Sequence, residues 1–435
     1  MHAHTAPLKD RAIRTSIRFL EELTAGYRGN DFAIRFWDGT VWGNARRPTF
    51  TLVLKHAGAL RNMFTSPSEL TLGEAFINDD FDIEGDIEAA FGLTDFLLLH
   101  EYSVTEKLQL GSLLARLPAA VGHADRPQGA DLNGLLQSKE RDRRAVSYHY
   151  DVSNEFYKLW LDRSLVYSCA YFKSPHSGLD VAQEQKLDYI CRKLRLRRGD
   201  HILDLGCGWG GLLIHAAKHY GAYAFGVTLS IPQAELARER IRMAGLADRC
   251  KVEVCDYREL DPPQQYDKLV SVGMFEHVGE AMLPEYFRRA WHLLRPGGVF
   301  LNHGIAASAT FQRKGPSFVD KYVFPGGELV PINVTLRAAE SAGFEVRDLE
   351  SLREHYVLTL RHWLRRLAAK AEEARRIVGD LTYRIWRLYM AGSAHGFATG
   401  RLNLYQVLLS KADHGSSRLP LTREDWYATG DEITS

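Results

Sequence analysis

The chain has 435 residues, 45% of them hydrophobic and 25% charged, the make-up of a globular protein with a sizeable core and a length that suggests two domains. Its 55 basic residues stand against 54 acidic ones, and a net charge of +1 argues against a dedicated nucleic-acid binder. Five cysteines (Cys169, Cys191, Cys207, Cys250 and Cys255) form no CxxC pair, so no disulfide framework and no metal site is expected, and a reducing cytoplasm fits.

From the N-terminus, Met1 to Asp10 is polar and lacks the apolar stretch of a signal peptide. No apolar run reaches the ~20 residues of a membrane span, so any dealing with lipid is expected from the membrane surface. The stretch to about Pro127 reads as mixed α/β. Ala33–Trp37 and Phe50–Leu54 are predicted strands, and a helix is predicted through Phe91 to His100. Val121 to Asp131, rich in glycine, proline and charge, reads as a linker, dividing the chain into residues 1–127 and 128–435.

Beyond it, strands and helices alternate. Predicted strands are His201–Leu205, Ala224–Thr228, Val252–Cys255, Lys268–Val272 and Val299–Asn302, with helices over Gly211–Tyr220 and Ile231–Ala244. This order means parallel βαβ units, a doubly wound sheet. Phe344–Asp348 and Leu404–Leu409 read as a closing strand pair. Between them Tyr356, Leu360, Trp363, Leu364 and Leu367 fall at helical spacing as a core stripe, with Arg361, Arg365, Arg366 and Lys370 on the opposite face.

After the first strand of this series the chain runs Asp204-Leu205-Gly206-Cys207-Gly208-Trp209-Gly210-Gly211 into a helix. Glycines there let the backbone approach a ligand at the carboxyl end of the strand. A dinucleotide site wants GxGxxG and an acidic residue ending the second strand. Here the spacing is GxGxGG and the second strand ends in Thr228. The pattern resembles motif I of class I methyltransferases, which bind S-adenosylmethionine (SAM). Asp256 follows the third strand, where its carboxylate would meet an adenine amino group, and Tyr257 beside it offers an aromatic wall. Glu276 and His303 each sit at a strand end on the crevice side, which brings them close together.

Several further motifs narrow the resemblance. His149-Tyr150-Asp151, Tyr167-Ser168-Cys169-Ala170-Tyr171-Phe172, Gly226-Val227-Thr228-Leu229-Ser230 with Gln233, Phe275-Glu276-His277 and Lys321-Tyr322-Val323-Phe324-Pro325-Gly326-Gly327 resemble the cyclopropane-fatty-acyl-phospholipid synthases and the related mycolic acid methyltransferases. The likeness spans roughly Tyr148 to the end. Around Leu72-Gly73-Glu74 the first part also looks like the extra domain of the bacterial phospholipid enzymes.

The resemblance implies a class I methyltransferase fold, α/β with a mostly parallel sheet and a closing antiparallel strand, beside a smaller N-terminal α/β domain for lipid recognition or oligomerisation. It implies methyl transfer to the cis double bond of a phospholipid acyl chain, closing a cyclopropane ring through a carbocation. Such an enzyme is expected in the cytoplasm, peripheral at the inner membrane surface, touching membrane phospholipid transiently and forming a homodimer. The cofactor contacts it implies are Tyr167, Ser168, Asp204, Gly206, Gly208, Gly210, Thr228, Ser230, Gln233, Asp256 and Tyr257. The base is a bound bicarbonate, whose ligands carry over to Cys169 and Ile305 (through backbone), Glu276, His303 and Tyr356. One departure stands out: Ser393 occupies the position where family members carry a cysteine. The carbocation route needs no thiol nucleophile. The alternative product is a methylene-branched chain, formed if the cation loses a neighbouring proton instead.

Overall fold

The computed structural model describes residues 11–29, 31–43, 45, 47–119, 129, 138–150, 152–261, 265–310 and 317–427. Apart from Gly129, the expected linker Val121 to Asp131 lies outside them, as does Asp151.

By contact the chain forms two units, one from Met1–Gly129, Arg313–Val323 and Gly379–His395, the other from Ala130–Gln312, Phe324–Val378 and Gly396–Ser435. A single cut at residue 127 therefore does not separate them. The first unit is built on a four-stranded sheet of β1 (Phe32–Arg35), β2 (Val41–Trp42), β3 (Phe50–Leu54) and β4 (Phe81–Gly85), in the order β2-β1-β3-β4. The late segments join it for identifiable reasons. Arg384, 3% exposed, donates through Nε and Nη2 to the Phe76 carbonyl at 2.8 and 2.6 Å, and through Nη2 to the Phe81 carbonyl at 2.8 Å. Glu74 takes the Lys321 ammonium at 2.6 Å and the Tyr322 hydroxyl at 2.9 Å. The long helix Ala371–Ala398 is interrupted at Gly379 (φ 80, ψ 163), where the chain passes from one unit to the other.

The second unit holds a seven-stranded sheet of β5 (His201–Leu205), β6 (Tyr223–Thr228), β7 (Cys250–Val254), β8 (Tyr266–Val272), β9 (Leu294–Ala307), β10 (Glu345–Ser351) and β11 (Leu402–Ser410). Its order is β10-β11-β9-β8-β5-β6-β7. Strands β5 to β9 pair in parallel, and β11 runs antiparallel between β9 and β10. This is the doubly wound sheet with an antiparallel closing strand that the βαβ alternation predicts. Side chains alternate across it. Ile202, Val270 and Leu301 join the core under the helices Leu179–Lys193, Gly211–Tyr220 and Ile231–Met243; Leu203, Leu269 and Phe300 join the core under Leu283–Leu293 and Ile332–Ser341. Strands β5, β8 and β9 are therefore apolar and buried on both faces at their centres.

The stripe Tyr356, Leu360, Trp363 and Leu367 is buried on the helix Arg353–Ala369, with Leu364 half-buried. Arg361, Arg365 and Lys370 are exposed, while Arg366 turns to Asp180 and the Leu161 carbonyl. No described helix is long and apolar enough to cross a membrane.

Candidate active site

Strand β5 delivers Asp204, and the chain then turns through Gly206, Gly208 and Gly210 at φ +92, +52 and +77. A side chain at Gly206 would meet Met274 Cβ at 2.8 Å. The amides of Gly206 and Cys207 both donate to the Val227 carbonyl, at 3.0 and 2.9 Å, so the loop hangs on β6. It opens a cleft at the carboxyl ends of β5, β6 and β8, as a doubly wound sheet requires.

Nine of the residues singled out in the sequence stand in the wall of this cleft: Tyr167, Ser168, Asp204, Gly206, Gly208, Thr228, Gln233, Asp256 and Tyr257. Gly210 and Ser230 do not. Gly210 sets the left-handed turn before the helix Gly211–Tyr220, and Ser230 caps Ile231–Met243, its hydroxyl accepting the Gln233 amide at 3.3 Å.

The Thr228 hydroxyl donates to Gln233 Oε1 at 2.9 Å, which leaves the Gln233 amide hydrogens as donors at the end of β6. The Asp256 carboxylate does two things. It caps the turn Tyr257–Glu259 through the Arg258 amide at 2.9 Å, and it binds the Arg258 guanidinium at 2.9 and 2.6 Å. Asp204, 3% exposed, has an Oδ1 with no partner among the described residues, and burial pushes its pKa up to about 7.

Sequence reasoning missed Lys186, which comes from the helix Leu179–Lys193 into the same wall. Its ammonium donates to Ser168 Oγ at 2.9 Å, and burial pushes its pKa down to about 8. A lysine on an amphipathic helix reads as a solvated residue, so only its spacing onto the buried face of that helix could have flagged it.

The catalytic candidates fall into groups. Glu276 sits on the short turn Phe275–His277 after β8, between Met274 and His277, which line the cleft. Its Oε1 accepts the Ile305 amide at 2.7 Å, while Oε2 is shielded and without a partner among the described residues. Burial pushes its pKa up to about 7, with the Ile305 amide pulling the other way. His303 lies within β9 rather than at its end, because the strand runs on to Ala307. It shares a face with Ile305, two residues on. His303 Nδ1 faces the Gln406 amide nitrogen at 3.1 Å, so the proton belongs on Nε2, another buried atom without a partner among the described residues. Burial holds this imidazole well below its usual range, and it is neutral.

Cys169 is fully buried, its thiol turned to the Ala170 and Leu352 carbonyls at 3.2 and 3.8 Å, and burial raises its pKa. Leu352 precedes the helix that carries Tyr356, and the Tyr356 amide donates to the same Leu352 carbonyl at 3.2 Å. The Tyr356 ring packs on Phe397 and Trp363. Ser393 lies on the part of the long helix that belongs to the first unit; the other candidates lie in the second.

Residues 137–407 match the family described as mycolic acid cyclopropane synthetase, 62% of the chain. The chain belongs to that family. Members of the cyclopropane synthetase family are SAM-dependent methyltransferases, and this chain is one of them. It is 42% identical over 400 residues to a "Probable fatty acid methyltransferase" of Pseudomonas putida, covering 91% of this chain and 95% of that one. It is 35% identical over 284 residues to the cyclopropane-fatty-acyl-phospholipid synthase of Escherichia coli, covering 65% of this chain and 72% of that one. A mycolic acid cyclopropane synthase crystallised with SAH and CTAB superposes with a TM-score of 0.59 at 32% identity, over 61% of this chain and 97% of that one. Residues 19–93 match a domain of unknown function.

The cleft fits the cofactor of this family. Its floor is glycine backbone, its far end carries the Gln233 donors and the Tyr257 ring, and Asp204 Oδ1 is an unpaired acceptor. Glu276 Oε2 and His303 Nε2 are likewise shielded and without a hydrogen-bond partner among the described residues.

Proposed function

We propose that this chain transfers a methyl group from SAM to the cis double bond of an unsaturated acyl chain in membrane phospholipid and closes a cyclopropane ring. The observation that carries the reading is the pair of shielded, unpartnered atoms, Glu276 Oε2 and His303 Nε2, on elements that adjoin the cofactor cleft. A carbocation that must lose one chosen proton needs a base held beside it, and such unpartnered groups could hold one.

SAM, when bound, supplies an electrophilic methyl group to the π electrons of the acyl chain. Gly206 and Gly208 would take its backbone-like edge, Thr228 and Gln233 the ribose hydroxyls, and Asp256 and Tyr257 the adenine. Tyr167 and Ser168 would close over the reacting end, with Asp204 below. The product requires a weak base, and a bicarbonate held by Glu276 and His303, with Cys169, Ile305 and Tyr356, would supply one. Glu276 is fixed through the Ile305 amide, and Gln406 fixes the His303 ring with its Nε2 proton pointing away from β11. Apolar and aromatic packing around Tyr356 and Trp363 keeps water from the cation. Ser393 in place of a cysteine is compatible with this chemistry, which uses no thiol.

The first unit would recognise the lipid surface or bring two chains together, in a protein peripheral to the inner membrane. The decisive experiment offers the purified protein SAM, bicarbonate and vesicles of oleoyl or cis-vaccenoyl phospholipid. Acyl chains gaining one CH₂ and resisting hydrogenation are expected. A gain that still takes up hydrogen would replace the ring by a methylene branch, and no gain at all would sink the proposal.

A further inference from the structure

Lys186 and Asp204 are opposite charges, 1% and 3% exposed, in the wall of one cleft, and they make no ion pair with each other among the described residues. Removing a charge from water is costly unless something compensates it. Hydrogen bonding within the chain leaves much of both groups unsatisfied. The Lys186 ammonium has three hydrogens, and its one described bond goes to the neutral Ser168 hydroxyl. Asp162, the acid that acts most strongly on it, makes no ion pair with it and already accepts the Ser164 and Val166 amides at 2.7 and 2.9 Å. The Cys169 thiol beside it is neutral. Asp204 is left with a shielded oxygen that no described residue touches.

A cation and an anion buried in the wall of one cleft, with no ion pair between them, are the complement of a zwitterion. We infer that Lys186 is the counter-ion of the cofactor's α-carboxylate, acting opposite Asp204, which takes the α-ammonium, so that the two together read the amino-acid end of SAM. The inference rests on the reading of this cleft as the SAM site. It also gives the Ser168 contact a purpose, since the hydroxyl that Lys186 holds is itself in the cleft wall. The helix bearing Lys186 grips the same strap a second way, through Gln183 Nε2 to the Val166 and Ser168 carbonyls at 3.3 and 2.9 Å. Lys186 would therefore sense cofactor and position Tyr167-Ser168 with one side chain.

The test is calorimetric titration of the full-length protein with three ligands: S-adenosylhomocysteine, its decarboxylated analogue, and methylthioadenosine, which lacks the amino-acid end. Wild-type protein is expected to bind the decarboxylated analogue about tenfold or more weakly than S-adenosylhomocysteine, the loss typical of one hydrogen bond to a charged group. Lys186→Met, which keeps the length of the stem, is expected to lose that discrimination while binding methylthioadenosine as wild type does. Two results overturn the inference: wild type that does not distinguish the first two ligands, or a Lys186→Met variant that weakens all three ligands equally, which would mark a purely structural lysine. Should Lys186→Met fail to fold, Lys186→Gln is titrated in its place, and a folded variant of either kind that still discriminates as wild type does also overturns the inference. Wild-type protein that binds none of the three would instead overturn the SAM reading of the cleft, a different outcome from binding without discrimination.

Discussion

Glu276 is asked to be ionised in surroundings that resist its charge. Burial raises its pKa to about 7, and if its role is to accept the proton of a bound hydrogen carbonate, the carboxylate form is the active one. Activity is then expected to fall as pH drops through about 7, on a limb that His303, neutral throughout, does not contribute. Stability carries the opposite sign. The folded protein binds this proton more tightly than the unfolded chain, so the folded state loses stability as pH rises from the ordinary carboxylate range to about 7. Glu276→Gln, whose amide oxygen still accepts from Ile305, should therefore melt no lower than wild type at pH 8 while turnover falls about 100-fold or more. A melting scan beside a product assay checks both halves. A variant that unfolds at room temperature would show Glu276 to be structural.

The glycine loop owes its position to the strand beside it. Gly226 lies in β6 where a Cβ would come within 2.6 Å of Cys207 Cβ and of Leu213 Cδ1. Gly226→Ala should push loop and strand apart, costing about 1–3 kcal/mol of stability and weakening the binding of S-adenosylhomocysteine. Thermal unfolding and titration of the purified variant measure the two effects, and an unchanged affinity would mean the loop does not depend on this contact. At this scale much was legible. The strand His201–Leu205 and the helix Gly211–Tyr220 end where apolar runs and turn residues say they should. The strand through Val299–Asn302 read too short, because His303 and Gly304 interrupt its apolar run. Gly304 is there for packing: a side chain would meet the Phe275 ring at 3.0 Å, on the very turn that bears Glu276. Lys186 stayed hidden because a lysine reads as solvated even where its spacing puts it on the buried face of its helix, and its bond to Ser168 joins residues 18 positions apart.

Across the whole molecule, the division of the chain was least legible. Nothing near Phe318 or Arg384 announces that these residues join the unit built on the first sheet; the bond from Arg384 to the Phe76 carbonyl spans 308 positions. Composition and periodicity are local signals, and this pairing is not. Arg384→Leu would strip the Phe81 carbonyl of its arginine donor, leave the Phe76 carbonyl with the Asp79 amide alone, and leave Asp82 short of one of its two arginines. Such a loss is expected to cost about 3 kcal/mol. It should appear as early proteolytic cleavage within residues 47–119, and cleavage no faster than in wild type would show that Arg384 does not hold this unit together.

The late return of residues 379–395 to the first unit also sets a timetable for biosynthesis. A ribosome emits the first segment of this unit, to Gly129, then about 250 further residues before its late helical segment begins at Gly379. At ~5–20 residues per second the nascent sheet waits some tens of seconds for that helix. During that interval the Phe81 carbonyl and Asp82 wait for Arg384, the incomplete unit is open to chaperones or to a sister chain on the same message, and synonymous codons or pauses between these segments would alter yield without changing a single residue of the finished enzyme.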